Sequence, residues 1–283
     1  MGLHVFFDVI KFLNKETSYI AWHPMFNIFS YMSTFLKFSV AEATKANFLD
    51  ILNELLRNVG YEEDEGENEM TMPLRLLAIK WACELGHEKC RKAAAEKLFA
   101  YIYNSKQNIF ARWTTWMFCT GMMDANKTLS NLIWQHGFEK GNMEILEHLT
   151  CIEDENILLH YLDLISIMRP NENNATKLSI EKLYRSIIKK HIGKKKVLNY
   201  FLNNYFEIID RFPYNFYTHD NLTLLGDIFM NIHSDLILNK INIYVTKESF
   251  GNELYSKVRK LIKAKRELLL RQRRKFKAFY DDF

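Results

Sequence analysis

The stretch from Leu74 to Cys90, LRLLAIKWACELGHEKC, constrains the fold more than any other part of the chain. Its apolar spacing predicts one helix that stops at Gly86 and a second that starts at once. A cysteine flanks the break on each side, Cys83 and Cys90. An unbroken helix would hold two α-carbons seven residues apart at about 10 Å, beyond the roughly 4.4–6.8 Å that a disulfide spans. A turn at Gly86-His87 would fold the second helix back and bring the sulfurs within reach. The segment alone leaves two readings open. One is an all-helical, disulfide-stapled protein of an oxidising compartment, and the other is four reduced core cysteines in a cytosolic protein.

Helical periodicity continues on both sides. Phe26, Phe29, Ser30, Ser33, Leu36 and Lys37 map a helix whose apolar stripe includes Ile28, Met32 and Phe35. Ser39-Val-Ala-Glu42 has capping-box spacing and predicts the start of the next helix, which runs to Val59 and ends at Gly60. Pro73 suits the first turn of the helix after that. Breaks are expected at Asp124 to Asn126, Gly141-Asn142, Asp154, Pro170 to Asn174 and Phe212 to Asn215. A last long helix, roughly Lys247 to Phe279, places Leu254, Val258, Leu261, Leu268 and Phe276 near one face and basic residues on the remainder. Only ten Gly and four Pro in 283 residues agree with long helices. The cadence predicts an all-α fold of stacked helix pairs, a curved solenoid related to HEAT or armadillo arrays, as one domain over residues 1–283.

A net charge of +4 is too small to demand a nucleic-acid partner, and none is expected. It is unevenly spread: Tyr61 to Glu69 is strongly acidic and Lys257 to Lys277 is dominated by Lys and Arg. Both blocks read as solvated faces. No run of eighteen apolar residues appears, so no transmembrane helix is expected. The first thirteen residues lack a basic n-region and a cleavage site, and the C-terminus is no lipid-anchor signal, so neither a signal peptide nor an anchor is expected. The five tryptophans, Trp22, Trp81, Trp113, Trp116 and Trp134, lie among other apolar residues and read as core.

Several motifs occur in an order that carries a resemblance. The Leu74–Cys90 segment continues into the Ala-rich Arg91 to Phe99. Phe12 to Trp22 reads FLNKETSYIAW, with Ala21 where the pattern usually has Pro. Arg112 to Gly121 reads RWTTWMFCTG, departing in detail at Trp116-Met117-Phe118. Trp134 to Leu162 keeps Cys151, Asp154 and Tyr161-Leu162, and Gly193 to Tyr205 ends in Tyr where Trp is usual. This order resembles the C-terminal helical domain of the aminopeptidase N family of zinc aminopeptidases, which includes the endoplasmic-reticulum aminopeptidases. The resemblance fades after about residue 210.

The resemblance implies a bowl of helix pairs that walls and closes a peptide chamber over a zinc-bearing catalytic domain. It implies two bridges, Cys83–Cys90 and Cys119–Cys151, and an extracytosolic location as ectodomain or secretory protein. Partners implied are the catalytic domain, peptide substrates and, as in some members, a second copy. Sequons at Asn126, Asn174 and Asn221 are glycosylation candidates in that setting. The family's reaction needs His-Glu-x-x-His, two zinc ligands one helical turn apart with a Glu that activates the bound water. Here His87-Glu88 is followed by Lys89-Cys90-Arg91, and the substrate-gripping Gly-x-Met-Glu-Asn loop is absent. No catalytic residue, metal ligand or cofactor is therefore expected on this chain, which the resemblance likens to the later part of a longer polypeptide. Glu144 and His148, at i and i+4, read as a surface ion pair, and no C-x-x-C, Walker A or G-x-S-x-G stretch occurs. Chamber-facing residues are not legible. A free-standing scaffold that binds a protein partner, and an unrelated cytosolic helical-repeat protein, are the alternatives.

Overall fold

The computed structural model describes residues 3–33, 35–37, 41–103, 111–139, 141–168, 174–211, 223–247 and 252–281. Among them the structure is all-helical, with no strand. Fifteen α-helices follow in order: α1 Leu3–Ile10, α2 Tyr19–Met32, α3 Glu42–Val59, α4 Thr71–Glu84, α5 Glu88–Tyr103, α6 Ala111–Met123, α7 Lys127–Glu139, α8 Met143–His148, α9 Glu155–Ile167, α10 Asn174–His191, α11 Lys195–Asn203, α12 Tyr205–Arg211, α13 Thr223–Met230, α14 Asp235–Lys247 and α15 Asn252–Asp281. The chain divides into two compact units, Met1–Met117 with Leu270–Phe283, and Phe118–Leu269.

In the first unit α4 packs against α2, α3 and α5. Trp22, Phe29, Phe48, Leu52, Leu55, Leu74 and Ala78 are fully buried there. Phe29 meets Phe48 edge-on at 4.8 Å between ring centroids and leans on Trp81 at 5.6 Å. Helix α2 stops at Met32, short of the sequence expectation, and a single 3-10 turn covers Phe35–Lys37. The stripe it buries is Trp22, Met25, Phe26, Phe29 and Met32. Ser39 of the expected capping box lies outside the described residues. Helix α3 itself starts at Glu42, with Ala41 in the N-cap position and no side-chain cap.

The second unit packs α7 on α8, α9 on α11, and α10 on both α8 and α13. Two of its helices begin as the sequence breaks predict. Asn142 caps α8 by accepting from Glu144 N and Ile145 N, and Asp154 caps α9 by accepting from Asn156 N and Ile157 N. Those amide bonds hold the Asp154 carboxyl below the usual range. Helix α7 ends in a Schellman turn: Asn142 N reaches Gly137 O at 2.8 Å, Gly141 N reaches Phe138 O at 3.1 Å, and Gly141 has φ 61°. The apolar seam of α15 in this unit is Val258, Ile262 and Leu269. That moves the expected face by one position, because an 11-residue spacing returns to the same side of a 3.6-residue helix and a 10-residue one drifts off it. Leu268 is 38% exposed, and the side chains of Leu254 and Phe276 lie outside the described residues.

Candidate functional site

The Gly86 turn is built as a second Schellman motif. Gly86 N donates to Cys83 O at 3.1 Å and His87 N to Ala82 O at 2.9 Å, with Gly86 at φ 95°. A Cβ at Gly86 would meet no atom within 4 Å, so the demand for glycine is conformational rather than steric. Gly86→Ala is expected to lower stability by about 1–2 kcal/mol, checked by urea unfolding of the oxidised protein. His87 then caps the next helix. Its Nδ1 accepts from Cys90 N at 3.2 Å, which leaves the proton on Nε2, 3.2 Å from Asn53 Oδ1. Burial pushes its pKa below the ordinary value, in keeping with a neutral ring. The reversal sets Cys83 and Cys90 as a disulfide pair with α-carbons 5.4 Å apart. Both are fully buried, and Trp116 Nε1 points at Cys83 Sγ from 3.2 Å.

Cys119 and Cys151 form the second pair, with α-carbons 5.3 Å apart, inside the second unit. Cys151 is 3% exposed and Cys119 only half-buried. Around them α10 supplies polar groups. Lys190 Nζ lies 2.9 Å from Cys151 Sγ and 2.8 Å from Thr150 Oγ1. Lys190 as a whole is exposed, but desolvation of its ammonium lowers the pKa to about 8 despite the nearby Glu147, whose carboxylate is 2.7 Å from Lys182 Nζ. His191 Nε2 meets Thr150 O at 2.7 Å, and burial pushes that imidazole down to about 4. A neutral His191 is thus a fixed donor to the turn that carries Cys151. Lys194 Nζ donates to Glu153 O on the same segment.

A cleft of about 300 Å³ opens in the same unit between α9, α10, α11 and α12. Its lining includes Asp163, Ser166, Tyr184, Tyr200 and Glu207. Tyr200 Oη donates to Leu162 O and Ser166 Oγ to Asp163 O, so these hydroxyls serve backbone carbonyls. Asp163 and Glu207 bring two carboxylates into this lining. Among the described residues no group of three or more His, Cys, Asp or Glu could hold a metal ion.

The remaining candidates are scattered. Asn126 is exposed and caps α7, its Oδ1 accepting from Leu129 N at 2.9 Å. Asn174 begins α10, its side chain lies outside the described residues, and Asn221 lies outside them altogether. His148 is no surface partner for Glu144: it is buried, stacks on Phe118 at 5.0 Å, and burial lowers its pKa. Trp22 is fully buried and donates to Glu16 O at 2.9 Å.

The acidic segment is largely exposed, as a solvated face should be, and it also carries attachments that sequence reasoning missed. Glu67 pairs with Arg75, Glu62 with Lys97 at 2.6 Å, and Glu63 accepts from Trp113 Nε1 at 2.5 Å. These carboxylates fasten the segment to α4, α5 and α6, while Glu62 and Glu63 stay exposed to water. The signal was present in the spacing of Glu67 and Arg75, one turn before and one turn into a helix, but nothing in it marks Arg75 as buried.

A family model described as "ERAP1-like C-terminal domain" matches residues 1–257. The thyrotropin-releasing hormone-degrading ectoenzyme of Mus musculus is 21% identical over 176 residues, covering 56% of this chain and 16% of that protein. Membrane alanyl aminopeptidase of Manduca sexta is 20% identical over 178 residues, 59% of this chain and 18% of that protein. Aminopeptidase N of Plutella xylostella is 26% identical over 129 residues, 45% of this chain and 14% of that protein. The match thus covers less than a fifth of the length of these curated relatives.

Proposed function

The chain belongs to the family of ERAP1-like C-terminal domains, and from that premise we propose that it is the non-catalytic wall and lid of an aminopeptidase N-like zinc peptidase. The observation that carries this reading is the family match over residues 1–257. The 283 residues act as one functional domain built of packed helices. The zinc-bearing domain it serves lies outside them, since the sequence holds no His-Glu-x-x-His. A wall of this kind contributes in two ways. It restricts access, passing peptides and excluding folded proteins, and its closure orients the bound peptide while shedding water. Peptide N-termini are the substrates, and a second copy is a further partner.

The two cysteine pairs at disulfide distance and the ectoenzyme among the relatives support an extracytosolic location with both bridges formed. Asn126, Asn174 and Asn221 are then acceptors for N-linked glycans. No helix among the described residues is long and apolar enough to cross a membrane.

The test is a transplant. This chain replaces the corresponding domain of the Plutella xylostella aminopeptidase N, and turnover of an aminoacyl-arylamide is compared with that of a ten-residue peptide. The chain alone is expected to show no chelator-sensitive turnover, and the chimaera to regain peptide cleavage relative to the same enzyme lacking the domain. Zinc-dependent turnover by the isolated chain, or a chimaera no better on peptides than the truncated enzyme, would overturn the reading.

A further inference from the structure

We propose that Cys119 is a thiol-exchange site: a small thiol such as glutathione attacks its sulfur, opens the Cys119–Cys151 bridge and leaves Cys151 as a thiolate held by Lys190. The inference rests on the bridges proposed above. It comes from the contrast between the two pairs. Cys83 and Cys90 are 1% and 0% exposed, so neither sulfur is open to a nucleophile. In the second pair Cys119 is half-buried while Cys151 is 3% exposed, which selects Cys119 as the sulfur attacked. The sulfur that must leave is the one in contact with a cation, Lys190 Nζ at 2.9 Å. A leaving thiol departs faster as its pKa falls, and an adjacent ammonium lowers it.

The exchange balances without any further reagent. The incoming thiolate bonds to Cys119 Sγ, the bond between the two cysteine sulfurs breaks, and its electron pair remains on Cys151. The products are a mixed disulfide on Cys119 and the Cys151 thiolate. A second thiolate attacks the mixed disulfide at the incoming sulfur, releases Cys119 as thiolate and carries away the oxidised small thiol. Lys190 keeps its proton throughout, and Thr150 Oγ1, 2.8 Å from the same Nζ, keeps the ammonium in place. Lys182 is tied to Glu147 and Lys194 to Glu153 O, which leaves Lys190 as the side-chain cation that touches the bridge among the described residues.

The experiment uses the full chain, oxidised, with free thiols counted first. It is then exposed to glutathione, quenched with iodoacetamide at intervals and mapped by mass spectrometry. The first adduct is expected on Cys119 with Cys83–Cys90 intact. Lys190→Gln should slow opening by about fivefold or more, whereas Lys190→Arg, which keeps the charge, and Lys189→Gln, at an exposed neighbour, should leave the rate near that of the parent. An adduct on Cys151, opening of both bridges together, or Lys190→Gln at the parental rate would each overturn the proposal while leaving the bridges standing. Four free thiols before any reductant is added would overturn both.

Discussion

Replacing Arg75 with alanine is expected to lower the unfolding free energy by about 3–5 kcal/mol. The guanidinium is 1% exposed and fully committed. Nε donates to Val59 O at 2.7 Å, Nη1 to Glu67 Oε1 at 2.8 Å, and Nη2 to Glu67 Oε2. A bidentate pair of this kind is among the stronger charge-assisted contacts. Alanine leaves a largely buried carboxylate without its cation, an orphaned carbonyl at the end of α3, and an empty volume in α4. The acidic segment between those helices would then lose its main attachment. The alternative substitution separates pairing from burial. Arg75→Met with Glu67→Leu removes both charges and fills the space, so it should recover most of the loss.

The pH dependence of that difference has a fixed sign. Arg75 holds the Glu67 carboxyl below its ordinary value, chiefly through their hydrogen bonds. A carboxyl whose folded pKa is depressed contributes stability that is present above its unfolded pKa and lost as pH falls through the folded one. The gap between parent and Arg75→Ala in urea unfolding should therefore be full at pH 7 and narrow as the pH is taken below the usual carboxylate range. A gap under about 1 kcal/mol at pH 7 would mean that the pair behaves like an exposed one.

How much of this was legible in the sequence follows from which forces act locally. The Gly86 turn, the Asn142 and Asp154 caps and the break before α7 were readable because each is decided within five or six residues by backbone conformation or a short side chain. The seam of α15 was misplaced by one position, because Leu261 and Leu268 are as apolar as Ile262 and Leu269 and only packing against a neighbour selects between them. The Arg75–Glu67 anchor and the Lys190 contact with Cys151 were invisible for another reason. Both join residues whose proximity is created by the fold, and a long cationic side chain looks the same in a sequence whether it reaches water or a buried partner. Pairing of Cys119 with Cys151 came only from the resemblance, since four cysteines admit three connectivities.

Removing the Cys119–Cys151 bridge is expected to cost about 3.5 kcal/mol on the loop-closure scale, against about 2.5 kcal/mol for Cys83–Cys90. The ordering follows from sequence separation, 32 residues against 7, because the longer loop frees more of the unfolded chain. The Cys119→Ser/Cys151→Ser variant should show this deficit in urea unfolding of the oxidised protein, and little of it once both proteins are fully reduced. That convergence matters, because it distinguishes a lost cross-link from a damaged core: a packing defect at Cys151 would persist in reductant. Lys190 stands beside Cys151 and can hydrogen-bond a serine hydroxyl at that position. His191 and Tyr161 continue to hold the turn and α8 through Thr150 O and Leu146 O. The second unit should therefore remain folded with the bridge open, less stable by about the loop-closure amount, which is the condition under which exchange at Cys119 can be reversible rather than the first step of unfolding.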